Sequence, residues 1–445
     1  MQPAEENPIG EATRLLDLAL QAGAWEAEVI CISGRSLSVE LRKDRVELAG
    51  ENLFCGLGLR AILRGAVGFS STSDFDKLDL VAKSAVRAAK ARVSDEEWRS
   101  LPGKLPIESP VDIFDPAIEG IILEECIDFA TMLLDGCASV PDAEPLSGGV
   151  SCGSFCEMIL NSRGVAISQK GTSFYASLSA KAGIDGSDVA TGHEFDNSRQ
   201  LCIKFEDIGK SAAEMARSSL GGSRSETGET DVLLRPSAIA ELLEYAFVPS
   251  ICADNVQKGR SQLANRLGET IGEENLKILD DGMLTGGMGT AAFDGEGVPS
   301  KRNTLVDCGV LRGFLHDSYT AGKSGVNSTG NAVRADYSEV PRVGIRNLII
   351  SSMEPLDLIS ETRRGVLVND IIGAHTANPV SGDFSVEGRN AFQVVDGEVR
   401  KPLKSLMLAG NIFDILKSIE VGTDPRAVGC IVTPTVMVRM KVVGG

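Results

Sequence analysis

Only three histidines occur in the 445 residues, His193, His316 and His375, and no two of them stand at metal-ligand spacing. A zinc peptidase helix of the H-E-x-x-H kind needs two imidazoles about one helical turn apart, so that both reach one cation while the Glu acts as general base. The sole His-Glu pair, His193-Glu194, runs into Phe195, Asp196, Asn197 and Ser198, which leaves the second ligand missing. Basic residues are also scarce: 44 Lys and Arg stand against 62 Asp and Glu, a formal net charge of -18. That balance repels a phosphate backbone at long range and argues against direct nucleic-acid binding. Apolar runs such as 366–372 are far shorter than the roughly 20 residues of a membrane span, so no membrane association is expected. The first ten residues hold Glu5 and Glu6 but no basic or apolar run. Neither a signal nor a transit peptide is therefore predicted, and the expected location is the cytoplasm. No CxxC pair exists; Cys152 and Cys156 are the nearest two, and the ten cysteines read as reduced, mostly buried small hydrophobes.

The length allows two or three domains with separate cores. Residues 11–23 place Leu15, Leu16, Leu18, Ala19 and Leu20 in a helical window. Strand-like runs follow at 27–32, 37–41 and 54–69, and helical periodicity returns over 76–91. This order predicts an α+β domain over 1–100. Pro102, Pro106, Pro110 and Pro116 mark 101–117 as a linker. A central α/β region, 118–222, carries helices near 119–134 and 207–220 around strands at 156–161, 165–169 and 174–182. The polar stretch 221–230 closes it. A larger β-rich domain, 223–445, opens with a helix over 237–253 behind Pro236. Hairpins are predicted at 303–315, turning near Cys308-Gly309, and at 391–399, turning at Asp396-Gly397, with a strand-like run at 430–443. The fold class is α+β: an N-terminal mixed α/β part and a larger β-rich C-terminal part.

Two phosphate-site look-alikes fail on context. Gly56-Leu57-Gly58-Leu59-Arg60-Ala61 matches G-x-G-x-x-A, but it lies in β-type sequence and not at a strand-to-helix turn. Gly322-Lys323-Ser324 resembles the end of a P-loop, yet Asp317 occupies the position of its first Gly and opposes phosphate. His316 and His375 each stand alone, and a single His is more often structural than a ligand. What remains is a set of Gly, Asp and aromatic blocks: 293–299 (FDGEGVP), 309–321 (GVLRGFLHDSYTA), 328–331 (STGN), 378–385 (NPVSGDFS) and 409–411 (AGN). Such loops either receive an extended peptide through main-chain hydrogen bonds or are plain tight turns. The candidate peptide- or partner-binding positions in and near them are Asp294, Glu296, Arg302, Tyr319, Asn331, His375, Asn378, Asp383, Phe384 and Ser385.

In this order the blocks resemble the TldD/PmbA family, whose members are labelled modulators of DNA gyrase. Gly56-Leu57-Gly58-Leu59-Arg60 with Gly65-Ala66-Val67-Gly68-Phe69 is similar to its N-terminal domain, and Thr227-Gly228-Glu229 to the opening of its C-terminal domain. The family has two kinds of subunit. One, TldD-like, carries an H-E-x-x-x-H helix and a later Cys that complete a zinc site; the other, PmbA or TldE, lacks them and pairs with the first. The corresponding region here, 242–267, contains no His and reads Asn255-Val256-Gln257-Lys258-Gly259-Arg260-Ser261. Cys430 lacks the Cys-Gly-Lys setting, and Gly422-Thr423-Asp424-Pro425-Arg426 is similar to the second kind.

The resemblance implies a PmbA/TldE-like subunit with no catalytic residue, metal or cofactor of its own. It also implies a TldD-like zinc-binding partner, or a homodimer, and peptide substrates: unfolded peptides or peptide precursors. Two alternatives stay open: a stand-alone regulatory protein of the gyrase-modulator type, and a hydrolase with an unrelated centre drawn from His316, His375, Asp383 and Ser385.

Overall fold

The computed structural model describes residues 8–183, 188–404 and 406–444. The first half is built on one antiparallel sheet. Its strands are β1 (Glu26–Arg42), β2 (Arg45–Leu63), β3 (Ala66–Thr72), β4 (Ala143–Asn161), β5 (Ala166–Gly183) and β6 (Val189–Ser198), in the order β3-β2-β1-β4-β5-β6. Side chains alternate across a strand, so β1 divides its residues between two faces. Val29, Cys31, Leu37, Val39 and Leu41 face the helices, while Ile30 packs on the opposite side. One end of the helix face is covered by α1 (Ile9–Gln21) and α2 (Leu78–Lys90), which bury Ala12, Leu15 and Ala19, and Leu78, Val81, Ala85 and Ala89. The other end is covered by α3 (Leu123–Ala138) and α4 (Phe205–Ser218), whose Phe129 and Phe205 stack 4.7 Å apart.

The strands expected at 27–32 and 37–41 are one 17-residue strand. The chain stays extended through Gly34, where a Cβ would lie 2.4 Å from the Ser154 carbonyl oxygen, so only glycine lets β4 approach this closely. Pairing of β1 with β4 also joins the N-terminal and central segments in a single sheet. The Pro-containing 101–117 segment runs along it: the Leu101 amide donates to Glu26, the Pro102 carbonyl accepts from Asn161, and the Val111 carbonyl accepts from Gly286.

The C-terminal half packs two sheets around one large core. One contains β7 (Gly228–Leu234), β12 (Arg364–Ile372), β13 (Asp383–Val395), β14 (Glu398–Lys404), β15 (Leu406–Asn411) and β18 (Val436–Gly444). The pairings β12–β7, β7–β18, β18–β15, β15–β13 and β13–β12 close it on itself. The second, in the order β10-β9-β8-β11-β17-β16, uses β8 (Leu276–Asp281), β9 (Arg302–Asp307), β10 (Val310–Leu311), β11 (Leu348–Ser352), β16 (Arg426–Val428) and β17 (Ile431–Thr433). Both predicted hairpins form with two-residue turns, Cys308-Gly309 and Asp396-Gly397, all four residues at positive φ as a type I′ turn requires.

Further sequence expectations change: the run 54–69 is split by the turn at Arg64-Gly65 between β2 and β3, and 165–169 and 174–182 are one strand, β5. The run 430–443 is two strands, because Pro434 cannot donate to a ladder and separates β17 from β18. The polar stretch 221–230 enters the sheet: Ser223–Arg224 pairs parallel with β14, and β7 starts at Gly228. Among the cysteines, all free, Cys202 and Cys308 are exposed, the first in the irregular segment after β6 and the second in the turn between β9 and β10.

Candidate functional site

The helix behind Pro236 begins as expected with α5 (Pro236–Leu242) and then widens into a π turn, Leu243–Phe247, before resuming over Val248–Ile251. Pro249 is the reason for the distortion. In a regular helix its ring would press on the carbonyl of Tyr245 and its missing amide would leave that carbonyl unbonded. The distorted segment faces two adjoining cavities. The first, about 560 Å³, lies between central and C-terminal regions and is walled by Tyr175, His193 and Phe195 on one side and Glu241, Glu244 and Asp370 on the other. The second, about 730 Å³, is walled by Tyr245, Pro249, Cys252, Arg342, Arg346 and Cys430. Glu244, Val428 and Gly429 line both, which makes one cleft of the two.

Strand β16 borders this cleft and ends its sheet. Gly429 (φ 58°) opens the tight turn to β17, so Val428 and Ile431 form the closing hydrogen-bonded pair. Alternation along an antiparallel ladder then turns the N–H and C=O of Ala427 away from β17. Ala427 is exposed. An extended chain lying in the cleft thus meets an unpaired strand edge.

The first cavity is acidic at its helix side. Arg235 pairs with Asp424 and Arg426 with Glu194, whereas Glu241 and Glu244 have no ion-pair partner among the described residues. The Glu241 carboxyl is pushed up to about 7, first by burial and then by Asp370 and Glu244. Burial likewise raises Asp370 and lowers His193, whose Nδ1 lies 3.0 Å from Ser179 Oγ. Because Glu241 keeps its proton in the fold between its unfolded value near 4.3 and about 7, the folded form binds more protons there, and stability falls as pH rises through that window. Glu241→Gln should therefore flatten the decline in thermal midpoint between pH 5 and 8; an unchanged slope would mean that Glu241 is not the group responsible.

The ten sequence-selected residues fall into separate places. Asp294 and Glu296 are fully buried where the first sheet meets the C-terminal half, beside the contact of Ile30, Ile159 and Val165 with Ala292 and Phe293. Asp294 accepts from the amides of Glu296, Val298 and Ala332 and thereby shapes the FDGEGVP turn. Burial and the nearby Glu296 nonetheless raise it to about 7. Glu296 accepts from Arg60 Nη1 at 2.8 Å and from the Ser318 amide at 2.8 Å. Burial opposes its charge, but Arg60 and these hydrogen bonds outweigh burial and hold its carboxyl below the usual range. Arg60 also binds Glu28 at 2.7 Å, and Glu28 binds Arg334, which completes a chain of four buried charges across the seam. Tyr319, on α6 (Ser318–Ser324), donates to Asp95 and stacks on Trp98. Asn331 is buried and ties Asp280 to the Gly344 carbonyl, while Arg302 pairs with Asp281.

The remaining five lie elsewhere. His375 is exposed and meets Tyr245 edge-on, which places it beside the cleft helix. Asn378 accepts from the Val380 and Ser381 amides as a turn residue. Asp383 accepts from Ser381 and Asn411, Phe384 is in the large core, and Ser385 is exposed on β13. Neither His316 nor His375 is hydrogen-bonded to Asp383 or Ser385 among the described residues, so a Ser-His-Asp relay is not assembled there. Gly149-Val150-Ser151-Cys152-Gly153 matches the nucleophile-elbow pattern G-x-S-x-G in letters only, because it lies inside β4 and not at a strand-to-helix turn. Sequence reasoning missed Glu241, Asp370 and Ala427. Their signal was weak: two lone carboxylates, brought to one cavity only by the tertiary fold, and an alanine on the strand whose Arg426 and Val428 line it.

Among the described residues no group of three or more His, Cys, Asp or Glu is placed to hold a metal ion, and no helix is long and apolar enough to cross a membrane. The helix facing the cleft lines it with Glu244, Tyr245, Val248 and Pro249 and with no imidazole, a set that does not fit a catalytic zinc ion.

The fold is that of a metallopeptidase-related protein. Models of the PmbA/TldA metallopeptidase domain 1, central domain and C-terminal domain match residues 27–89, 116–220 and 227–445. An uncharacterized Methanocaldococcus jannaschii protein is 31% identical over 423 residues, 94% of this chain and 96% of its own. The metalloprotease PmbA homolog of Haemophilus influenzae is 25% identical over 460 residues, 99% of this chain and 97% of its own. The crystal structure of TldE from Thermococcus kodakarensis superposes with a TM-score of 0.89 at 24% identity, covering 98% of this chain and 100% of that one. The chain belongs to the PmbA/TldD family.

Proposed function

We propose that this chain is the non-catalytic, PmbA/TldE-like subunit of a heteromeric zinc peptidase, guiding extended peptides toward a zinc centre carried by a TldD-type partner. The observation that carries the reading is the helix at the cleft. The zinc-bearing subunits that the resemblance describes carry two imidazoles on a helix of this region, whereas 242–267 of this chain holds no histidine and lines the cleft with Glu244, Tyr245 and Pro249. The cleft then acts as a peptide-binding surface, a role supported by its length, an apolar wall that includes Val248, Val343, Ile345 and Ile431, and the edge strand beside it. The three named regions, with bounds at 1–100, 118–222 and 223–445, are proposed as its working parts, and the cytoplasm as its location.

The partner half of the reading is tested by affinity purification of the tagged chain from its source. A stoichiometric zinc-containing TldD-type chain is expected in the eluate; recovery of homodimer alone would contradict it. The peptide half is tested at the strand edge. Ala427→Pro removes an amide that no ladder uses, so the chain should fold normally and bind an unfolded casein peptide about tenfold more weakly. Unchanged affinity would mean that the peptide does not pair with β16.

A further inference from the structure

At the seam between the central sheet and the C-terminal half lies a third, smaller cavity of about 110 Å³, walled by Phe155, Glu157, Gln169, Lys170, Arg199 and Arg346 among others. It has room for a few waters or one small ionic group. Arg199 is 7% exposed. Its Nη1 donates to the Thr172 carbonyl at 3.0 Å, its Nη2 to the Met288 carbonyl, and its plane lies over Phe155, 5.5 Å from the ring centre. Its Nε is buried with no acceptor. The Nε of Arg346 is buried without an acceptor as well, and Arg346 Nη2 donates only to the Phe293 carbonyl at 2.7 Å. Among the described residues, neither guanidinium has a carboxylate within ion-pair distance.

Arg199 is buried with only carbonyls as acceptors, and Arg346 is half-buried with a buried, unbonded Nε; a guanidinium so placed is costly, since Arg does not shed its proton and carbonyls supply no charge, and Glu157, Asp280 and Asp294 act on Arg346 only from beyond ion-pair distance. Burial, and then the neighbouring Arg346, do weaken the hold of Arg199 on its proton, with Cys430 acting the other way. The opposing group in the wall is Glu157, which accepts from Gln169 Nε2 at 3.0 Å. Burial raises its carboxyl against the pull of Arg346, the Gln169 hydrogen bond and Arg334. Lys170 adds a solvent-facing cation at the mouth.

We infer that Arg199 and Arg346 form a binding site for a small oxyanion, a carboxylate or a phosphate. Gly289 and Arg346 line both this cavity and the larger part of the cleft. An extended peptide in that cleft would therefore bring its C-terminal carboxylate to the pair, an assignment of source that rests on the peptide reading above; inorganic phosphate offers the same chemistry without a peptide.

Calorimetry on the purified full chain separates these cases. One casein decapeptide is titrated as free acid and as C-terminal amide, and inorganic phosphate is titrated separately. The free acid should bind about 10- to 50-fold more tightly than the amide, the scale of a charge-assisted bidentate contact. Phosphate should bind and compete with the acid, and Arg199→Gln and Arg346→Gln should each remove the preference for acid over amide. The wild-type comparison needs no variant, so a folding defect in either substitution leaves the test intact. Equal affinity for acid and amide with no phosphate binding at millimolar concentration would overturn the anion site while leaving the peptide reading in place. Phosphate binding that is lost on Arg346→Gln, with no peptide of either form bound, would support the site and overturn the peptide reading.

Discussion

Arg60→Met lowers the unfolding free energy at pH 7 by about 3–5 kcal/mol, the scale set by stripping one partner from a buried ion pair. The side chains of Glu28 and Glu296 are fully buried and that of Arg60 is 5% exposed. Removal of the guanidinium leaves Glu28 with Arg334 but leaves Glu296 with only the uncharged donors of Ser318. The effect has a pH signature. Glu296 sits below its unfolded value, so the stability that it contributes is present above about pH 4.3 and is lost as pH falls through its folded value. The penalty of Arg60→Met measured by urea unfolding should therefore be largest at neutral pH and shrink in acid. Glu28 and Arg60 belong to the first sheet whereas Glu296 and Arg334 belong to the C-terminal half, so the same substitution should also split unfolding into two transitions. A single transition with a loss under 1 kcal/mol would mean that the charge chain is not what locks the halves together.

Much of this architecture is legible in the residues because local rules and tertiary packing agree. The spacing of Leu15 and Ala19, the proline at Pro236 and the Asp396-Gly397 turn each dictate an element that the fold contains. The four long strands of the first sheet, β1, β2, β4 and β5, were not legible at full length. Polar stretches such as Ser33 to Ser36 break the hydrophobic pattern, yet pairing on both sides keeps β1 extended through them. The candidate site was legible in kind but not in place. The Asp294 and Glu296 block stands out in sequence because its turn is built from buried acids, and those acids serve the seam between the halves. The cleft instead depends on Glu241, Asp370 and Val428, which lie far apart in the chain and line one cavity only after folding. What the sequence did carry was the chemistry of the cleft helix, since the absence of histidine over 242–267 can be read without coordinates.

The second large effect is all-or-none. With no zinc-ligand set at the cleft helix and no histidine joined to Asp383 or Ser385, the purified chain should hydrolyse no peptide, whereas a mixture with a TldD-type subunit should. Substitutions on this chain should then act through substrate delivery. Ala427→Pro should raise the KM of the assembled enzyme and leave kcat nearly unchanged, as expected when uniform binding is lost and the transition state is untouched. The most direct measurement is zinc content and casein-peptide cleavage by the purified chain, alone and mixed with a TldD-type subunit from the same source. The account predicts no stoichiometric zinc and no cleavage from the lone chain, with cleavage in the mixture; bound zinc and cleavage in the lone chain would contradict it.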